Sequence, residues 1–309
     1  MAVFNADQAG LAIFLFFAAL MNAWFVVTSS LRVRRTNATE SASVEGNSTQ
    51  KKRLLNYSVL AMALFDIPWV WLCMIQCWNN MLTDSNALHQ TNGEDSFGCK
   101  LMGWYSTFSL VGMMGSHNLV AYYLKNYLLP NKKGAAAASP LPFLDTKKGF
   151  LSQAVSLLIV ACIFASMPLM GDGYYLTNGG FCYADFTNKA QSSVILSFVL
   201  VLLGMATVTW FRIGQWSKYW LFYSVFFVTW TLWIPASSYG ISTGQEIPSP
   251  YMIIGAVIGH SNAFINPLLY GLRLYHLLPT AQSQDTPVHG SSSSVVDKEE
   301  SMMEPMMAP

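Results

Sequence analysis

Leu11-Ala-Ile-Phe-Leu-Phe-Phe-Ala-Ala-Leu-Met-Asn22-Ala-Trp-Phe-Val-Val-Thr-Ser-Ser-Leu31 carries no charged side chain. Coiled as a helix it reaches about 30 Å, the thickness of a bilayer's hydrocarbon core. Strands are shorter than this, and a helix on a water-soluble domain keeps one polar face, which this stretch lacks. No basic residue precedes it and Asn22 interrupts its core, so it reads as a helix that stays rather than a cleaved leader.

Six more stretches of the same kind follow, at residues 54–78, 101–129, 150–170, 192–211, 219–241 and 251–272. Composition agrees with them. Of 309 residues 53% are hydrophobic and only 11% charged, against roughly 25% charged in a soluble globular chain. So much apolar surface calls for lipid, and a net charge of +1 argues against the concentrated basic patch of a nucleic-acid binder. The expected architecture is an all-α membrane protein, a seven-transmembrane helix bundle. Residues 1–10 form a short leading segment, 11–279 the seven-span domain with a short helix after the last span, and 280–309 a disordered tail.

Orientation follows from the basic residues. Arg32, Arg34, Arg35, Lys51, Lys52 and Arg53 lie after the first span. Lys132, Lys133, Lys147 and Lys148 lie after the third, with Lys125 at its end, Arg212 and Lys218 lie after the fifth, and Arg273 and Lys298 after the seventh. Only Lys100 and Lys189 fall on the other side. The N-terminus is therefore expected outside and the C-terminus in the cytoplasm. Cys99 and Cys182 then both face the oxidising side, where a bridge would tie the loop after the fourth span over the mouth of the bundle; the alternative is two free thiols. Residues 32–53 read as a polar, mobile loop, residues 134–140 as a flexible linker, and Ser291 to Ser294 as a possible phosphorylation cluster in the tail.

Polar side chains inside such spans are costly and so point to function. Asp66 lies deep in the second span, and a buried carboxylate needs a cation, a proton or hydrogen-bond donors. Asn22, Asn262 and Asn266 can supply donors. Pro235, two residues after Trp233, and Pro267, directly after Asn266, each remove a backbone donor and bend their helix.

These features together resemble the rhodopsin-like (class A) G-protein-coupled receptors, over roughly residues 10 to 279. Asn266-Pro267-Leu-Leu-Tyr270 with Asn262 upstream is similar to the family's Asn-Pro-x-x-Tyr, Trp233-Ile-Pro235 to its Trp-x-Pro, and Leu60-Ala-Met-Ala-Leu-Phe-Asp66 to its second helix. Asn22 stands where the first helix has its Asn, and Cys99 and Cys182 match the family disulfide. Gly98-Cys99-Lys-Leu-Met102-Gly103-Trp-Tyr and the run from Pro168 to Cys182 resemble the opsins. Where opsins carry the retinal lysine this chain has His260, and Met102 stands at the counter-ion position, so a covalent retinal cofactor is not expected. Lys125-Asn126-Tyr127 occupies the place of the family's Asp/Glu-Arg-Tyr, two residues late. Either the helix bulges there or Tyr123-Leu124-Lys125 is the true register, and neither offers an arginine.

The resemblance implies a plasma-membrane receptor, not an enzyme, for a small-molecule ligand. Met102, Tyr105, Ser106, Trp233, Tyr239 and His260 would line its pocket. Asn22, Asp66, Trp233, Pro235, Asn262, Asn266, Pro267 and Tyr270 would form the rearranging network, with Na+ or a proton at Asp66. Lys125, Asn126 and Tyr127 would face a heterotrimeric G protein. His260 could also sense protons, and His117 carries a weaker version of the same argument. Without the arginine, a receptor fold that binds a ligand or partner but activates no G protein is the alternative. A channel would need a chain of intramembrane charges, and a metalloenzyme a His/Asp cluster that the five histidines do not form.

Overall fold

The computed structural model describes residues 6–40, 47–83, 90–91, 94–95, 97–128, 142–170, 173–176, 182–214, 216–245 and 247–278. Helix dominates, because the long apolar runs leave the backbone no partner but itself. In chain order the helices are α1 (Ala6–Glu40), α2 (Asn47–Thr83), α3 (Phe97–Leu128), α4 (Lys147–Ser166), α5 (Lys189–Ile213), α6 (Trp216–Thr231), α7 (Trp233–Thr243), α8 (Ser249–Asn266) and the short α9 (Leu274–Leu277). A π-helical segment, Pro267–Arg273, joins the last two. Two 3-10 turns, Pro142–Asp145 and Met167–Met170, and two small antiparallel pairs, β1 (Gln90–Thr91) with β2 (Glu94–Asp95) and β3 (Tyr174–Leu176) with β4 (Cys182–Ala184), complete the described secondary structure.

Among the described residues, five segments are long and apolar enough to cross a membrane: Ala9–Ala38, Thr49–Trp78, Lys147–Met170, Lys189–Ile213 and Lys218–Thr243. The other two long helices, α3 and α8, are diluted by polar side chains that the fold buries. Ser106, Ser109, Ser116 and His117 lie on α3, and His260, Asn262 and Asn266 on α8. α3 packs against α2, α4, α5 and both strands of the β3–β4 pair, and α8 packs against α1, α2 and α6. A helix enclosed by protein does not need a lipid-compatible surface all round. The outer helices show the converse, with Ile13 and Phe17 on α1, Leu151, Ile159 and Ile163 on α4, and Val201, Met205 and Val208 on α5 all exposed.

Residues 32–53, expected as a mobile loop, are mostly helix instead: α1 runs on to Glu40 and α2 begins at Asn47. Side-chain bonds that tie the α1 extension to α2 and to the end of the bundle explain the correction. Tyr57 Oη donates to Asn37 Oδ1 at 3.0 Å, and Asn56 Nδ2 reaches Thr36 Oγ1 at 3.5 Å. Arg32 donates to the carbonyl of Gly271 and lies 4.1 Å from the Tyr275 ring centroid. The expected linker 134–140, the tail 280–309 and its serines fall outside the described residues.

Pro235 and Pro267 each leave the mark their chemistry requires. Pro235 has no N–H, and the helix is interrupted at Leu232, between α6 and α7; the Leu232 carbonyl accepts from Tyr251 Oη of α8 at 2.8 Å. Pro267 opens the π-helical segment, and Arg32 takes one of that segment's carbonyls. The turn after α5 is closed by Gly214 at φ 67°, a left-handed conformation that favours glycine.

Candidate functional site

At one end of the bundle the β3–β4 pair forms a lid. The Cys99–Cys182 disulfide ties β4 to the start of α3. Tyr174 of β3 lies directly over Gly103, where no Cβ would fit, and its hydroxyl donates to Ala165 O at 2.7 Å. At Gly240 of α7 a Cβ would meet the carbonyl of Phe186, and that carbonyl also accepts from Ser192 Oγ at 2.7 Å. Two glycines and one disulfide thus fix how deep the lid sits.

Beneath it is an aromatic cluster. Tyr183 sets its ring edge-on to Trp233, with centroids 5.6 Å apart, and Phe186 stacks on the same indole at 6.0 Å. Trp69 of α2 joins from the other side, 6.4 Å from Trp233, and His260 stacks on Trp69 at 4.7 Å. The cavity left among Trp69, Ser106, Leu110, Tyr183, Phe186 and Trp233 is about 40 Å³, room for a few waters. Tyr183 and Phe186 form part of the wall of this cavity. Leu110 and Ile195 also line a second cavity of about 200 Å³ on the flank between α3, α4 and α5, walled by Phe164, Pro168, Gln191 and Phe198. The inner and flank cavities therefore share a wall.

Of the expected pocket residues, Ser106 and Trp233 line the inner cavity, and buried His260 reaches it through Trp69. Met102 and Tyr239 are half-buried and are not among the lining residues. Tyr105 is corrected: it is 37% exposed, with its ring against Trp104 and not among the lining residues, because a helix turns residue 105 off the face that carries Ser106 and Leu110. Trp69, Tyr183 and Phe186 were not anticipated. Nothing in the sequence singles out one tryptophan of ten.

Deeper in the bundle lies the polar network. Asn266 Nδ2 donates to Asp66 Oδ2 at 3.0 Å across 200 residues of sequence. Asn22 Nδ2 reaches the carbonyl of Ala63 at 3.3 Å, and Thr229 Oγ1 donates to Asn262 Oδ1 at 3.3 Å. His117 of α3 belongs to this network, its Nε2 lying 3.3 Å from Asn266 Oδ1 and its ring edge-on to Tyr270 at 5.5 Å. Asp66, Asn22 and Asn266 are fully buried. Asp66 Oδ1 and Asn22 Oδ1 have no hydrogen-bond partner among the described residues. No cluster of three His, Cys, Asp or Glu suited to a metal occurs among the described residues.

At the opposite end, α3 is unbroken to Leu128, so no bulge absorbs the two extra residues and the Tyr123-Leu124-Lys125 register is the one a regular helix gives. Asn126 is engaged inward, donating to Asp145 Oδ1 at 2.7 Å, and Tyr122 Oη donates to the same oxygen at 3.3 Å. Gln50 Nε2 reaches the Asp145 carbonyl at 3.0 Å. Lys125 Nζ lies 5.2 Å from the Tyr122 ring centroid, and Tyr127 is buried. Asp145 is the hub that sequence reasoning missed. Neither a family model nor a curated protein matches this chain.

Proposed function

We propose that this chain is a seven-span receptor of the rhodopsin-like kind, which converts the binding of an apolar small molecule at the lid end into movement of the segment from α6 to α9. The observation that carries the reading is the bond from Asn266 to Asp66. Two residues that match separate motifs, on helices distant in sequence, meet at 3.0 Å in a buried site. The disulfide-pinned lid above Trp233 and the helix break before Pro235 support the same reading. In this reading α3 and α8 also cross the bilayer of the plasma membrane, with the lid outside and the Arg32 and Asp145 end in the cytoplasm.

The mechanism follows from the packing. Trp233 touches the lid aromatics on one side and begins α7 on the other, so a ligand that displaces Tyr183 or Phe186 removes support from the indole. The break at Leu232 lets α6 swing relative to α7 without loss of a helix hydrogen bond, since Pro235 has none to lose. Ligand binding shifts the equilibrium only by its differential affinity for the two arrangements. An apolar ligand can come through the bilayer to the flank cavity. Na+ beside Asp66 Oδ1 would favour one arrangement of α2 and α8. Retinal bound covalently is not part of this reading, because imidazole at residue 260 forms no imine.

One observation favours a second reading. Asn126, standing near where the family has its arginine, is tied down by Asp145, which suits a fold that binds ligand or partner without activating a G protein. Nucleotide exchange on purified heterotrimers, with a broad ligand library and with retinal in dark and light, separates the two. Exchange above an empty-membrane control supports the receptor. Silence, with a ligand that still raises the melting temperature, supports the second reading, and ion flux in proteoliposomes would overturn both.

A further inference from the structure

His117 is held by two acceptors. Its Nδ1 lies 2.8 Å from the carbonyl of Met113, which can only accept, so Nδ1 carries a hydrogen. Its Nε2 lies 3.3 Å from Asn266 Oδ1, also an acceptor, while the Nδ2 of the same amide donates to Asp66 Oδ2. A neutral imidazole has one N–H and cannot serve both acceptors. With the amide in this orientation both contacts are satisfied by an imidazolium, which an ionised Asp66 would balance.

A half-turn of the Asn266 amide gives one other arrangement in which every contact pairs a donor with an acceptor. Nδ2 then donates to the Nε2 lone pair of a neutral His117, and Oδ1 accepts from a protonated Asp66. Proton for proton the two are equal: the Nε2–H bond is broken and an O–H bond formed on Asp66, and the site holds one proton in either arrangement. Remove that proton altogether, leaving neutral His117 and carboxylate Asp66, and one contact must set lone pair against lone pair whichever way the amide points. In a buried site such a mismatch has no solvent to relieve it.

We propose that Asp66, Asn266 and His117 form a proton-binding site that couples α2, α3 and α8, holding one proton at neutral pH, with the Asn266 amide turned to match the end that holds it. Other side chains around it bring little competing charge. Tyr270 of the π-helical segment faces His117 and is the titratable neighbour; Phe226 of α6, 5.1 Å from the imidazole, does not titrate, and α1 contributes only Asn22 nearby. His117 thereby replaces His260, which is stacked on Trp69, as the proton-linked histidine.

The test uses the purified full-length chain in lipid nanodiscs and needs no signalling partner, so its failure is separate from failure of the receptor reading. Infrared spectroscopy reads the carboxylic-acid C=O stretch of Asp66, assigned by its loss in Asp66→Asn, and ¹⁵N NMR reads the two ring nitrogens of His117. The expected result at neutral pH is either a protonated Asp66 with a neutral imidazole, or an imidazolium with an ionised Asp66. In Asp66→Asn, whose amide can donate to Asn266 Oδ1 as the protonated acid does, His117 should appear neutral with hydrogen on Nδ1. Wild-type spectra showing neutral His117 together with ionised Asp66 would overturn the proposal, and these need no variant to fold beyond the one used for assignment. An imidazolium that persists in Asp66→Asn would overturn it equally.

Discussion

Asn266 is the residue on which the buried polar network turns, because a single amide serves both Asp66 and His117. Leucine has similar size and neither donor nor acceptor, so Asn266→Leu leaves both partners buried and unsatisfied. The expected loss is about 2–6 kcal/mol, at about 1–3 kcal/mol for each stranded group, read as a lower melting temperature in detergent. Gly240 gives a contrast in steric terms. Its missing Cβ makes room for the Phe186 backbone, so Gly240→Ala should destabilise by about 1–3 kcal/mol as an overpacked site. Gly204→Ala, where nothing lies within 4 Å, should be neutral or gain up to about 1 kcal/mol of helix propensity. Equal effects at the two glycines would contradict the seating of the lid. These residues differ in how far sequence reveals them. Asn266 announces itself by the proline beside it, whereas His117 is a lone histidine in an apolar run whose partner lies 149 residues away, and no local pattern encodes that distance.

At the scale of elements, boundaries and breaks were legible wherever proline, glycine or a charge-free run marks them. The bend expected at Pro235 corresponds to the α6/α7 break. The extension of α1 and α2 into residues 32–53 was not legible, because the polar composition of that stretch looks the same whether its groups bond to water or to each other. Tyr57 with Asn37, and Arg32 with Gly271, are cross-helix partners that only packing creates. Asp145 was missed for the same reason. Removing its side chain frees Asn126 and Tyr122 together, so Asp145→Ala should raise amide hydrogen exchange across residues 142–150, with a loss of about 1–3 kcal/mol. Unchanged exchange there would show that backbone contacts alone hold the segment. At the break, Tyr251→Phe removes the donor to Leu232 O and should cost about 1 kcal/mol, with a wider distribution of α6 to α8 distances by spin-label measurement.

For the whole molecule, the disulfide closes a segment of 83 residues. Reduction or Cys182→Ala should lower stability by about 2–5 kcal/mol, as for other long loops, and loosen the lid first. Sidedness is testable on the same chain. Single cysteines placed at Lys148 and at Lys189, in a background lacking Cys73, Cys77 and Cys162, should react with a membrane-impermeant maleimide from opposite faces of sealed vesicles. Labelling of both from one face would refute the alternation of helices on which the receptor reading depends.

The lid also sets what a binding experiment can see. If a ligand takes the place of Tyr183 and Phe186, as proposed, the two rings compete with it, and its apparent Kd is its intrinsic value divided by the fraction of molecules with the aromatics withdrawn. If that fraction were about 1%, every compound would look about 100-fold weaker than its contacts warrant. Small fragments would then be invisible in a screen of the intact chain, and Tyr183→Ala would be the form of the protein in which to look for them.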